Sequence, residues 1–287
     1  MAHEQASSRL GLGIAISLVA YIFFVTASSL VWSFKKIFPT IQIIFFLNCI
    51  SLICTLPIAL RKGPQRLKTN VLPIHLLRDA AGVLSYYLYY GAIRFLNLTD
   101  ATTLNYTAPF FVPIVWWIWM REKIDLHVWW SIIIGFIGVA VILNPTKQIF
   151  QEGFVFGLFA GILSAIAFAS LRVLNLKKEP MSRTLFYYFL CGTLFSSPFA
   201  CIYWGAPTGI QWLKMIGVGL STVIAQMLLT IAYRYGTASF LSPLGYSTII
   251  YAAISSWLIF GIQPGIRSLI GTILIVIGGI LTFILQK

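Results

Sequence analysis

Residues 92–117, AIRFLNLTDATTLNYTAPFFVPIVWW, return 140 residues later as residues 232–257, AYRYGTASFLSPLGYSTIIYAAISSW. Without a gap, Ala92, Arg94, Leu104, Tyr106, Ile114 and Trp117 meet Ala232, Arg234, Leu244, Tyr246, Ile254 and Trp257. The frame continues through Ile133 and Gly138, which meet Ile273 and Gly278, and it sets Thr99, Thr102 and Thr107 against Ser239, Ser242 and Ser247. Apolar segments resemble one another by composition alone, so the isoleucine matches carry little. Arginine, tyrosine, tryptophan and glycine matches in one frame point to an internal duplication. What the duplication means depends on how often the chain crosses a membrane between the copies.

Composition requires that it cross. The 287 residues are 59% hydrophobic and only 9% charged, with mean hydropathy +0.90, whereas soluble domains carry about 25% charged residues. Intrinsic disorder needs the opposite balance. An apolar run of about 20 residues spans the hydrocarbon core as a helix. Ten such spans are predicted, at 10–33, 40–60, 72–94, 99–120, 127–144, 153–174, 182–204, 211–234, 238–260 and 267–285. The fold class expected is all-α: a polytopic membrane protein of ten transmembrane helices. The connecting segments leave no room for a soluble domain. The first span runs well past a signal-peptide core and lacks an A-x-A site, so it is read as retained.

The repeat pairs spans three to five with spans eight to ten. Five spans separate the copies, so each enters the membrane from the opposite side. The chain thus divides into a first repeat at 1–146 and a second, inverted, at 147–287. Inverted repeats are the signature of secondary transporters, whose pseudo-twofold axis lets one half rock against the other around a midplane site, here two five-helix halves with the site at their interface.

The net charge of +13 comes from 20 Lys and Arg against 7 Asp and Glu. Thirteen of the basic residues fall on the side of the N-terminus, six fall on the other, and Arg78 lies inside the third span. The positive-inside rule then puts both termini in the cytoplasm. Trp116, Trp117, Trp119, Trp129 and Trp130 gather at the inner interface, and Trp32, Trp204, Trp212 and Trp257 near the outer one, as an aromatic belt. Topology therefore accounts for the basic residues, and nucleic acid is not expected as a partner. Cys49, Cys54, Cys191 and Cys201 all lie in apolar runs without metal spacing, which reads as inert thiols and neither a metal site nor a disulfide framework.

A family resemblance is carried by specific motifs. Each half has an Ala-x-Arg turn, a span with proline inside it (Pro109 and Pro113; Pro243) and a glycine-bearing last span (Gly135 and Gly138; Gly271 and Gly278). Along its whole length the chain resembles the ten-helix drug/metabolite transporter superfamily, in particular its EamA-type members. Glu122 matches the acidic residue usual after the fourth span, while the second half departs with Ile262. The run His75-Leu76-Leu77-Arg78-Asp79 with Gly82 resembles an H-x-L-R-x-x-x-G subgroup, and Gly135-Phe136-Ile137-Gly138-Val139 and Leu143-Asn144-Pro145 look similar too. That subgroup includes S-adenosylmethionine transporters of intracellular bacteria. The resemblance implies an inner-membrane carrier of a small metabolite, with S-adenosylmethionine uptake in exchange for its demethylated product as the specific expectation. The same fold also serves exporters of amino acids or drugs.

Charged side chains at membrane depth are costly and functional by default. Of the seven acidic residues only Asp79 lies deep in a span, beside Arg78. It is either a transport carboxylate or a local ion pair near the helix end. Helical spacing aligns His75, Arg78, Asp79, Gly82, Tyr86 and Tyr89 on one broad face of span three. Span four adds Thr102, Asn105, Tyr106, Pro109 and Pro113, span nine adds Ser239, Ser242, Pro243 and Tyr246, and Gln226 of span eight is the repeat equivalent of Tyr86. The candidate substrate-binding residues are Arg78, Asp79, Tyr86, Tyr89, Asn105, Tyr106, Gln226 and Tyr246. Aromatic rings stack planar bases and attract a sulfonium or ammonium, an arginine meets a carboxylate, and Asp79 would meet an amine. That inventory suits a zwitterionic nucleoside-like solute and equally an aromatic amino acid.

Other classes lack their chemistry. An intramembrane enzyme needs a metal cluster, a carboxylate pair or a nucleophile–base pair, and His3, His75 and His127 show no ligand spacing. No filter sequence of a channel is visible. Gly217-Val218-Gly219 lacks the Lys-Ser/Thr continuation of a phosphate loop. No cofactor is expected, and the partners are a small-molecule metabolite and the bilayer.

Overall fold

A computed structural model describes residues 2–61, 63–121, 126–143, 152–232, 235 and 242–285. Glu122, Arg234 and Ser239 lie outside them, as do the side chains of Ser242 and Pro243. The α-helices are α1 (Ala2–Ser33), α2 (Thr40–Leu60), α3 (Leu72–Phe95), α4 (Leu98–Asn105), α5 (Ala108–Met120), α6 (Leu126–Leu143), α7 (Glu152–Leu176), α8 (Met181–Ile202), α9 (Gly209–Ala232), α10 (Ser247–Phe260) and α11 (Ile266–Leu285). A 3-10 turn, Ser242–Tyr246, leads into α10. These make the ten spans, with α4 and α5 together forming the fourth and the turn with α10 the ninth. Five helices are long and apolar enough to cross a membrane on their own: the α1 segment from Gly11, and α2, α7, α8 and α9. Ile118, Ile202, Leu258 and Ile266 are each about two-thirds exposed or more, an apolar outer surface that only lipid accommodates.

Span four is not the continuous helix expected. Pro109 supplies no N–H, so the helix ends at Asn105 and restarts with Thr107 as the cap of α5. The Thr107 hydroxyl and backbone N–H both bond the Leu104 carbonyl, at 2.7 and 3.2 Å. In the other repeat the 3-10 turn gives way to α-helix at Ser247, the equivalent of Thr107. The duplication has thus placed a backbone break at the same point of each copy. Gly161 of α7 faces the first break, where an added Cβ would lie 2.9 Å from the Leu104 carbonyl oxygen.

The packing of the spans is symmetric under exchange of the repeats. Span three packs on span six as span one packs on span eight, and four on six as nine on one, while two with seven, five with ten and four with nine are self-symmetric pairs. The contacts also fix direction. Gly153, at the start of span six, packs against Phe95 and Leu96 at the end of span three. Span six therefore begins on the face opposite to the one where span one begins, and the copies are inverted.

This packing corrects the expected picture of two five-helix halves rocking as separate lobes. The most extensive pairings join a helix of one repeat to a helix of the other, so the two repeats interlock.

Lateral ties hold the face away from the N-terminus. Lys35 Nζ caps α3 by donating to the Ile93 and Leu96 carbonyls at 3.0 and 3.3 Å. Arg94, in the last turn of α3, donates back to the Phe38 carbonyl at 3.1 Å. Burial pushes the Lys35 amine below its ordinary value, and repulsion from Lys36 adds to this.

Candidate functional site

Between the interlocked bundles lies a cavity with about 1020 Å³ of empty space, its open mouth included. Six tyrosines line it: Tyr21, Tyr86, Tyr89, Tyr90, Tyr106 and Tyr188. Arg78 is its one cation among the described residues, and no described carboxylate lines it. Arg78 sits in the second turn of α3, Leu171 near the end of α7 and Thr230 near the end of α9. The cavity therefore reaches toward the face on which the chain begins. On the opposite face, side-chain bonds latch the repeats together: Ser268 to Asp100 at 2.7 Å, Thr99 to Ser256 at 3.2 Å, and Ser29 with Ser255 at 2.7 Å.

Six of the eight candidates meet on this wall: Arg78, Tyr86, Tyr89, Asn105, Tyr106 and Gln226. Tyr86 and Gln226, repeat equivalents, are neighbours on it. Two candidates stand elsewhere. Asp79 is fully buried behind Arg78, accepting from its Nη1 at 3.1 Å. Tyr246 is buried against Phe110, ring centroids 5.9 Å apart, with no partner for its hydroxyl among the described residues. Helical spacing alone does not say which flank of a broad face meets empty space. His75 leaves the cavity too, since its Nε2 pairs with Glu179 at 3.2 Å.

The guanidinium of Arg78 stands over the Tyr188 ring, its Cζ 4.0 Å from the centroid. Gly82, one turn along α3, makes room for this, because a Cβ there would stand 2.8 Å from Tyr188 Cε2. The glycine of the H-x-L-R-x-x-x-G run thereby gains a physical reason. Tyr89 bonds Thr102 at 2.9 Å across to α4. Ser85 donates to the Ala160 carbonyl at 2.9 Å and lies 2.7 Å from the Ser164 hydroxyl, which donates to Asn105 at 3.3 Å. Polar groups at membrane depth are thus largely satisfied across spans, as lipid demands.

Tyr21, Ser28, Ser164, Tyr188 and Thr248 also line the wall and were missed. Thr248 adjoins the repeat-matched Ser247, but the other four sit on apolar helices without a repeat-matched neighbour to mark them. Only the pairing of span one with eight, three with six and three with seven brings them in. Trp116, expected in the belt, instead turns inward and packs under Arg172 at 4.2 Å.

At the membrane end, Glu179 collects Arg183 at 2.7 Å, His75 at 3.2 Å and Thr69 at 3.2 Å. Burial pushes the Glu179 carboxyl up, but the bonds from Arg183 and His75 outweigh it and hold it below the usual carboxylate range.

An inverted ten-span bundle around a tyrosine-lined cavity is the form of a multi-pass membrane transporter. The chain belongs to the EamA-like transporter family, which matches residues 11–144 and again 151–284. It is 28% identical over 238 residues to an S-adenosylmethionine uptake transporter of Rickettsia felis, covering 82% of this chain and 80% of that one. It is 29% identical over 242 residues to a riboflavin transporter of Vibrio cholerae, covering 83% and 81%. A pseudopaline exporter of Pseudomonas aeruginosa is 24% identical over 267 residues, covering 92% and 93%. A solved crystal structure matches with TM-score 0.70 at 17% identity over 95% of this chain and 96% of that one, a likeness of fold alone.

Proposed function

We propose that this protein carries a small amphoteric, nucleoside-like metabolite across the inner membrane by alternating access, with both termini cytoplasmic and the repeats dividing at 146/147. S-adenosylmethionine, taken up in exchange for S-adenosylhomocysteine, is the specific substrate proposed. The observation that carries this reading is Arg78, standing over the Tyr188 ring at one end of a tyrosine-lined cavity. Its free donors suit a carboxylate. The rings suit a stacked base and a sulfonium. With Asp79 behind Arg78, the substrate amine falls to neutral acceptors such as Asn105 and Gln226 rather than to a carboxylate. The interlocked packing supports motion of the mixed bundle of spans three, four and six against that of eight, nine and one.

Riboflavin is the second reading, favoured by the neutral amides and hydroxyls of the wall together with the Vibrio relative. Export of an amino acid or drug is the alternative within the same fold. The test is uptake of radiolabelled S-adenosylmethionine into cells expressing the protein, with riboflavin, methionine and S-adenosylhomocysteine as competitors. Saturable uptake blocked by S-adenosylhomocysteine and not by methionine supports the reading. Absence of uptake by protein shown to be in the membrane overturns it.

A further inference from the structure

We propose that Asp79 is a proton-binding site loaded when a substrate carboxylate engages Arg78, so that one proton travels with each substrate. The proposal rests on the reading above that the substrate presents a carboxylate to Arg78.

The geometry is that of a relay with Arg78 in the middle. Arg78 lines the cavity, and Asp79 does not. The Asp79 carboxylate is fully buried, and only its Oδ1 is bonded, to Arg78 Nη1 at 3.1 Å. Its Oδ2 is buried with no partner among the described residues. A carboxylate arriving from the cavity places a second anion on the one guanidinium. In a low-dielectric interior two carboxylates sharing a site do not both stay ionised. Asp79 cannot swing out to water, because it is enclosed on its helix. The adjustment open to it is an O–H bond at Oδ2, made with a proton from water on the open side, while Arg78 transfers its charge to the substrate. When the substrate leaves on the other side, Arg78 returns to Asp79 and the proton is released there.

Among the described residues the surroundings offer no competing acid. On α3, His75 is a turn away and paired with Glu179. Tyr188 and Cys191 face Asp79 from α8. Helix α2 brings only Cys49 and Cys54, and α1 brings Tyr21. Arg172 of α7 is engaged on Trp116, Glu152 of α7 lies at the far end, and Asp100 of α4 is bonded to Ser268.

The experiment measures proton uptake with a pH-sensitive dye as S-adenosylmethionine is added to the purified, weakly buffered protein, alongside binding over a range of pH. About one proton is expected per molecule bound, with Kd rising ~tenfold per pH unit while free Asp79 is ionised. Asp79→Asn is expected to bring uptake to zero and flatten the pH dependence, and Asp79→Glu to restore both. Riboflavin, which has no carboxylate, is expected to take up no proton if it binds. Wild-type binding of S-adenosylmethionine without proton uptake overturns the proposal. So does uptake by Asp79→Asn equal to wild type, or equal uptake with riboflavin. No binding of S-adenosylmethionine by folded, monodisperse protein overturns the substrate reading, and with it the coupling built on it.

Discussion

Tyr86 and Gln226 occupy the same position of the two repeats and stand side by side in the cavity wall. Equivalent residues meet only where the pseudo-twofold axis passes, so this contact marks the axis inside the cavity. The site is nevertheless asymmetric: Arg78 answers to Val218 and Asn105 to Gly245 in the repeat frame. The duplication built the frame, and the two copies have diverged at these positions.

Arg78 is expected to act through its shape as well as its charge. Arg78→Lys keeps the charge but loses the planar fork and the stack on Tyr188. A loss of about tenfold or more in affinity for a carboxylate substrate is expected, roughly 1.4 kcal/mol. Arg78→Ala is expected to abolish uptake with the protein still folded. Equal substrate affinity for wild type and the lysine variant would take the guanidinium out of recognition.

Gly82 is expected to matter because of what stands opposite it. Gly82→Ala pushes on the Tyr188 ring, an overpacking that costs about 1–3 kcal/mol and tilts the platform under Arg78. Binding is expected to weaken several-fold while the protein remains in the membrane. A change in thermal midpoint with no change in substrate Kd would confine Gly82 to packing.

The latch on the face away from the N-terminus is expected to hold that side shut. Asp100→Ala removes the bond from Ser268 and the partner of Asn97. In a background without native cysteines, Thr102→Cys on the cavity wall should then react several-fold faster with a membrane-impermeant thiol reagent added from that face. Unchanged reactivity would show that closure does not depend on Asp100.

Glu179 gives a pH prediction of definite sign. Its folded value is depressed, so the stability it contributes is present above the unfolded carboxyl value and lost as pH falls through the folded one. Mild acidification is therefore expected to leave the Glu179 cluster intact, with loosening only below the usual carboxylate range. Thermal midpoints of wild type and Glu179→Gln should converge only in that acid range, and convergence near neutral pH would overturn the assignment.

The ten spans, the duplication, its inversion and the polar face of span three were legible in the chain, because hydropathy, residue frame and helical period are properties of neighbours in sequence. Span four was read as one helix, since a proline signals a freed carbonyl without saying whether the helix bends or stops. For Asp79 the chain left two readings open, a transport carboxylate or a local ion pair, and the structure shows it paired with Arg78. On the helix Arg78 and Asp79 are adjacent, and only the packing of α8, with Tyr188 at 4.0 Å, turns one to the cavity and leaves the other behind it.

The sequence by itself determined a membrane protein of ten helices in two inverted copies, because lipid imposes length, apolarity and self-satisfied backbone on every span. Tertiary structure alone decided which helices interlock, that Tyr21, Ser164 and Tyr188 complete the wall, and that Asp79 and Tyr246 stand outside it. Those outcomes depend on side-chain fit between spans more than a hundred residues apart, which no local pattern encodes.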